Sequence, residues 1–189
     1  MEDSIRTPQE NSEKMIPNRL DYILGLMLFF ILIVTFITVF PAISQAETVL
    51  SILPSNTTLY LNGDNSAEVA LVIENAVDIN AFDIKITYDE SIIQLNQWNH
   101  GGFLSNLNCL IQTNDPGYLW LVCTQINTPG QSGQGTLLNL HFSGLTRGTS
   151  SITINQAELA DTNKNKILPQ KNNGILTAAY DPALLSKVA

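Results

Sequence analysis

Basic residues are scarce in this sequence. Lys and Arg number 9 against 17 Asp and Glu in 189 residues, a formal net charge of −8. Duplex nucleic acid is held through a basic footprint; none exists here, so no nucleic-acid partner is expected. Histidine is equally sparse, His100 and His141 being the two. Neither belongs to an HExxH motif or a nearby His/Cys cluster, so no metal site is assigned. Gly130-Gln-Ser-Gly133 lacks the GxSxG spacing of a hydrolase nucleophile. Asp89, Glu90 and Asp115 fall in turns, and nothing in the sequence brings two of these carboxylates together for glycan cleavage. No catalytic residue is assigned, and the chain reads as a non-enzyme. Long helical periods, internal repeats and low-complexity blocks are absent as well.

One long apolar run is present, and it lies near the start. Tyr22 to Phe40 are nineteen residues without a charge, about 28 Å if helical and close to the thickness of a bilayer's hydrocarbon. Two readings fit residues 1–46. Ser44 and Ala46 occupy the small-residue positions of a signal-peptidase site, so that cleavage after Ala46 would leave Glu47 first. Alternatively, residues 22–40 remain as a transmembrane anchor, with Arg6, Lys14 and Arg19 before the span and no basic residue after it until Lys85. Both place the remainder outside the cytoplasm, secreted or tethered at the cell surface.

The remainder has the size of one domain. It holds twelve Asp/Glu and six Lys/Arg, an acidic balance suited to solubility or to a cationic or calcium-loaded partner. Its strand signals are dense. Residues 49–53, 57–61, 67–74, 92–98, 136–142, 150–155 and 175–179 each show an apolar face. Residues 81–88 alternate most clearly, with Phe82, Ile84, Ile86 and Tyr88 on one side and Asp83, Lys85 and Thr87 on the other. Such strands must bury one side each. The expected fold is therefore an all-β, two-sheet antiparallel sandwich of jelly-roll topology with about nine strands, over 47–179, followed by a flexible tail at 180–189.

Residues 108–113 and 118–124 flank Asn114-Asp-Pro-Gly117, a compact hairpin turn. Folding about Pro116 sets Cys109 opposite Cys123. Cross-strand Cβ atoms lie about 4.5–5.5 Å apart, slightly wide of a disulfide, and a small bulge at Gly117 would adjust this. An even cysteine count in an oxidising compartment favours the bond; two small buried thiols are the alternative. On the second strand of the hairpin Tyr118, Trp120 and Val122 alternate with Leu119, Leu121 and Cys123. If the first set faces away from the core, it forms an aromatic-aliphatic stripe joined by Leu110, suited to a protein partner or a sugar platform. A covering loop or strand is the bland alternative. Asp161-Thr-Asn-Lys-Asn165 has oxygen ligands spaced like the start of a calcium loop, but lacks the central glycine and terminal glutamate, and reads as a polar turn.

The ordered set of motifs resembles the cohesin domains, the dockerin-binding modules of cellulosome scaffoldins. The segments carrying the resemblance are Ala81-Phe-Asp-Ile-Lys-Ile-Thr-Tyr-Asp-Glu-Ser-Ile-Ile-Gln-Leu95, Gly135-Thr-Leu-Leu-Asn-Leu-His-Phe142 and Ala160-Asp-Thr-Asn-Lys-Asn-Lys-Ile167, within about residues 49–179. The resemblance implies a nine-stranded jelly roll related to some carbohydrate-binding modules. It also implies a dockerin-gripping face that includes the strand of Asp83 and both hairpin strands. Asp83 aligns with an acidic dockerin contact of type I cohesins, whereas Ala81 stands where those carry a polar residue. The cysteine pair is not a general feature of the family. The expected function is an extracellular, non-catalytic module docking a dockerin-like domain, with calcium on the partner rather than on this chain and a possible tie to polysaccharide breakdown. The candidate contacts are Asp83, Lys85, Leu110, Tyr118, Trp120 and Val122. Carbohydrate binding through Tyr118 and Trp120, or a structural or adhesion role, are the alternatives.

Overall fold

The computed structural model describes residues 19–39 and 46–185. Two compact units divide between Gln45 and Ala46.

In the first unit, Arg19–Val39 form a helix, α1. No helix among the described residues is long and apolar enough to cross a membrane. That finding overturns the expected anchor over 22–40 and, with it, a surface location through a transmembrane tether. Residues 1–18 and 40–45, which carry the expected leader and most of the cleavage signal, lie outside the described residues.

The second unit is built of strands: β1 Val49–Leu53, β2 Asn56–Tyr60, β3 Ala67–Thr87, β4 Ile93–His100, β5 Leu107–Asp115, β6 Tyr118–Gln125, β7 Gln131–Gly144, β8 Gly148–Asp161, β9 Lys166–Ile167, β10 Gln170–Asn172 and β11 Gly174–Ala179. A short helix, α2, follows at Pro182–Leu185. Within the stretch read as a tail, Asp181 is clasped by Asn62. Its N–H donates to Asn62 Oδ1 at 2.7 Å, and Asn62 Nδ2 donates to its carbonyl at 3.3 Å. Residues 186–189 lie outside the described residues.

The expected two sheets of about nine antiparallel strands are corrected in three respects. The eleven strands belong to one curled, hydrogen-bonded sheet. Two of its pairings, β1 with β10 and β2 with β11, are parallel. Finally, residues 67–74 and 81–88 are not separate strands, because both segments lie on the 21-residue β3 apart from Tyr88. The reason is visible along β3, where Asn75 and Asp78 take left-handed φ values of 53° and 54°, a conformation Asn and Asp tolerate better than other side chains. The ladder to β7 shifts register at Val72, Ala76 and Ile79. Such irregularities bend a strand and let it change neighbours. The first half of β3 accordingly pairs with β1 and β7, and the second half with β6 and β8. Strand β8 does the same, passing from β11 to β3.

The inner side of the curl is the core. Leu50, Leu71, Ile73, Ile84, Leu121, Leu138, Leu140 and Ile152 are fully buried, each such side chain contributing about 1.5–3 kcal/mol. Tyr88 packs its ring edge-on to Phe142 at 5.3 Å between centroids, which closes one end.

Candidate functional site

The outward side of β5, β6 and the second halves of β3 and β8 is a continuous face. Alternation places Leu119, Leu121 and Cys123 of β6 in the core, so Tyr118, Trp120 and Val122 point the other way and are half-buried. Register then brings β3 beside them, Asp83 pairing with Val122, Lys85 with Trp120 and Thr87 with Tyr118. On the far side of β3, Asp83 pairs with Glu158 and Lys85 with Gln156.

The polar groups of this face are bonded to one another. Trp120 Nε1 donates to Asp83 Oδ1 at 2.8 Å, and Gln156 Nε2 donates to Asp83 Oδ2 at 2.8 Å. The Asp83 carboxylate thus bridges β6 and β8 across β3. Lys85 Nζ stands 4.4 Å from the centroid of the Tyr118 ring, a cation–π arrangement. The Tyr118 hydroxyl donates to Asp115 Oδ2 at 2.9 Å. That bond, with partial burial and the charge of the carboxylate behind it, raises the phenol above its ordinary value. Lys166 pairs with Glu158 at 2.6 Å on the rim.

Leu110 is 76 % exposed, and the hairpin register explains why. The β5–β6 turn is centred between Pro116 and Gly117, not on Pro116, with Asp115 facing Tyr118 and Gly117 at a φ of 85°. An unbroken ladder from that turn would leave the cysteines one residue out of step. Instead the register shifts between Cys109 and Ile111, so that Cys109 faces Cys123 and the two form a disulfide. The extra residue is Leu110. The bulge expected at Gly117 is therefore found at Leu110, whose side chain borders a depression of 240 Å³ with Ala81, Asp83, Val122 and Ala160.

The sequence did not single out Gln156, the second partner of Asp83, or Ile111, which faces Val122. Gln156 comes from the non-local register of β8 on β3, and Ile111 from the hairpin register; no local motif marks either. Asp161 accepts from the Asn165 backbone N–H at 2.7 Å and from Asn165 Nδ2 at 2.8 Å. Those bonds, the side-chain one foremost, hold its carboxyl below the ordinary value and close the 161–165 segment as a turn. Among the described residues, no group of three or more His, Cys, Asp or Glu side chains is placed to hold a metal ion. Two carboxylates the sequence left apart, Glu90 and Asp115, do line one cleft of 710 Å³ beside the hairpin turn.

The second unit is thus an all-β domain of one curled sheet with a disulfide across one of its hairpins. Its fold is shared with cohesin domains of known structure. A non-cellulosomal cohesin from Archaeoglobus fulgidus superposes with a TM-score of 0.58 at 18% identity, over 75% of this chain and 98% of that one. The match to a type I cohesin–dockerin complex from Clostridium thermocellum has a TM-score of 0.59 at 16% identity, over 70% and 99%. A cohesin from Clostridium acetobutylicum gives 0.59 at 21% identity, over 73% and 94%. No protein-family model matches the chain, and no curated protein matches its sequence.

Proposed function

We propose that this chain is a non-catalytic protein-binding module that docks a dockerin-like domain on the outward face of β5, β6, β3 and β8. The observation that carries this reading is that one face holds both an exposed apolar knob, Leu110, and an aromatic, Trp120, whose indole N–H is bonded to Asp83. Hot spots combine such pre-set aromatic anchors with neighbouring apolar contacts. The fold shared with a cohesin bound to dockerin supports the same assignment. Ala81, in place of a polar contact, points to a partner surface that is more apolar there than an ordinary type I dockerin. Calcium belongs on the partner.

Sugar binding on the same face is disfavoured by two contacts. The Lys85 ammonium occupies one side of the Tyr118 ring, and the Trp120 N–H is already donated to Asp83. The Trp120 N–H is thus not available to a sugar hydroxyl, and a sugar would have to displace the ammonium from the Tyr118 ring.

The test is binding of the immobilised full-length chain to calcium-loaded dockerin domains, with EDTA as the control and Leu110→Asp and Trp120→Ala as variants. Calcium-dependent capture that both variants weaken supports the proposal. Capture that neither variant alters places the interface elsewhere. Retention of soluble oligosaccharides without any dockerin returns the sugar reading.

A further inference from the structure

The disulfide and the turn of the β5–β6 hairpin demand different registers, and Leu110 absorbs the difference. From the Pro116-Gly117 turn to the Ile111–Val122 pair the ladder is regular; beyond Leu110 it is displaced by one residue, through Cys109–Cys123 to Leu107–Gln125. In the displaced part, Leu107 and Cys109 pack against the core while Leu110 stands exposed. Without the cross-link, the register set by the turn continues unbroken. Leu110 then faces Cys123 on the core side, Cys109 faces Thr124 on the outer side, and Leu107 turns outward opposite Ile126. Because the side-chain period of a strand is two, a one-residue slip exchanges faces. Here it exchanges Leu107 and Cys109 for Asn108 and Leu110, so both registers present one leucine to the core, and the slipped one sets Asn108 opposite the Gln125 amide.

We propose that Cys109–Cys123 is a redox-sensitive register lock that holds Leu110 on the docking face. This rests on the reading of that face as the partner-binding surface. The step requires a dithiol reductant. Its thiolate attacks one cystine sulfur and releases the other cysteine; its second thiol then closes on the mixed disulfide. Two electrons pass to the cystine, the reductant's two protons end on Cys109 and Cys123, and the reductant becomes a cyclic disulfide. Strand β5 pairs only with β6, so the slip disturbs no other ladder, and it removes a bulge that costs hydrogen bonds.

The experiment is methyl NMR of the full chain with a soluble paramagnetic probe, before and after dithiothreitol, with Leu121 as the internal reference for an intact core. The expected result is an exchange. Leu110 methyls lose their relaxation enhancement on reduction and Leu107 methyls gain it, while Leu121 stays protected. A chain from which Leu110 has been deleted keeps the disulfide without the bulge, and its Leu107 should stay protected in both redox states. Unchanged Leu107 and Leu110 signals after reduction overturn the proposal and leave the disulfide a passive brace. Exposure of Leu107, Leu110 and Leu121 together overturns it as well. The readout needs no partner, so failure of the switch and failure of dockerin capture are separate results.

Discussion

Trp120 donates its indole N–H to Asp83 along a diagonal of the β6–β3 ladder, since the residue directly opposite Trp120 is Lys85. The ring is therefore drawn across the sheet toward Asp83, which Gln156 holds from the other side. Removing the carboxylate leaves two half-buried donors without an acceptor, at a cost of about 1–3 kcal/mol. Asp83→Ala should lower stability by that amount in urea denaturation and make Trp120 more accessible to acrylamide quenching. A Trp120→Phe partner variant closes the cycle: additive losses from the two changes would mean that the bond carries no coupling energy.

Leu110 provides a sharper separation of stability from binding. Its side chain is exposed on a bulge, so Leu110→Asp should change unfolding free energy by no more than about 0.5 kcal/mol. Affinity for a dockerin-like partner should fall at least about tenfold, or about 1.4 kcal/mol, for loss of an exposed apolar contact on the proposed docking face. Calorimetric titration beside a melting curve reads both quantities on one preparation.

The Cys109–Cys123 bond spans 14 positions, and a closed loop of that size restricts the unfolded chain by about 3 kcal/mol. The double variant Cys109→Ser/Cys123→Ser should accordingly unfold at lower denaturant, by about 2–3 kcal/mol in stability. Adding dithiothreitol to the wild type should reproduce most of that loss and leave the variant unaffected. Equal midpoints for wild type and variant under oxidising conditions would contradict the account.

Acid should loosen the turn at 161–165. The Asp161 carboxyl lies below its ordinary value of 3.8 because Asn165 bonds to the ionised form. A carboxyl lowered by folding stabilises the folded state at pH above the unfolded value, and that contribution fades as pH falls through the folded one. Wild type should therefore melt above Asp161→Asn at neutral pH, with the gap narrowing below about pH 4. Asp89, lowered by bonds from Ser91, adds a loss of the same sign. A gap that widens in acid would contradict the assignment.

At the hairpin turn, Gly117 holds a φ of 85°, which side chains adopt at a cost. Gly117→Ala should destabilise by about 1 kcal/mol, and Gly117→Asn by less, since Asn enters the left-handed region more readily. Thermal melts of the two variants rank them, and equal losses would show that crowding beside Glu90, rather than backbone conformation, sets the cost.

Much of the fold was legible because period-two alternation is a local property. Phe82, Ile84 and Ile86 face the core, and Asp83 and Lys85 face away, as their spacing alone implies. Legibility ended where strands bend. Residues 67–74 and 81–88 look like separate strands because polar residues interrupt the apolar pattern near Asn75 and Asp78. The bend survives as one strand because other segments hold it: the Asp78 N–H donates to Ser132 Oγ at 2.9 Å, and its carboxylate accepts from the Thr162 N–H and hydroxyl. No pattern within either segment announces those partners.

The sequence by itself determined an acidic all-β domain, the inner and outer sets of residues on its clearest strands, and a hairpin turn that brings two cysteines to within one residue of facing each other. Each follows from side-chain period, composition or turn chemistry, which act over a few residues. The tertiary structure decided what register decides. It joined the strands into one curled sheet, set Gln156 and Trp120 on either side of Asp83, and forced Leu110 out of the ladder. Those outcomes depend on which distant strand lies alongside and in what step, and a one-residue change in step moves a side chain from core to surface.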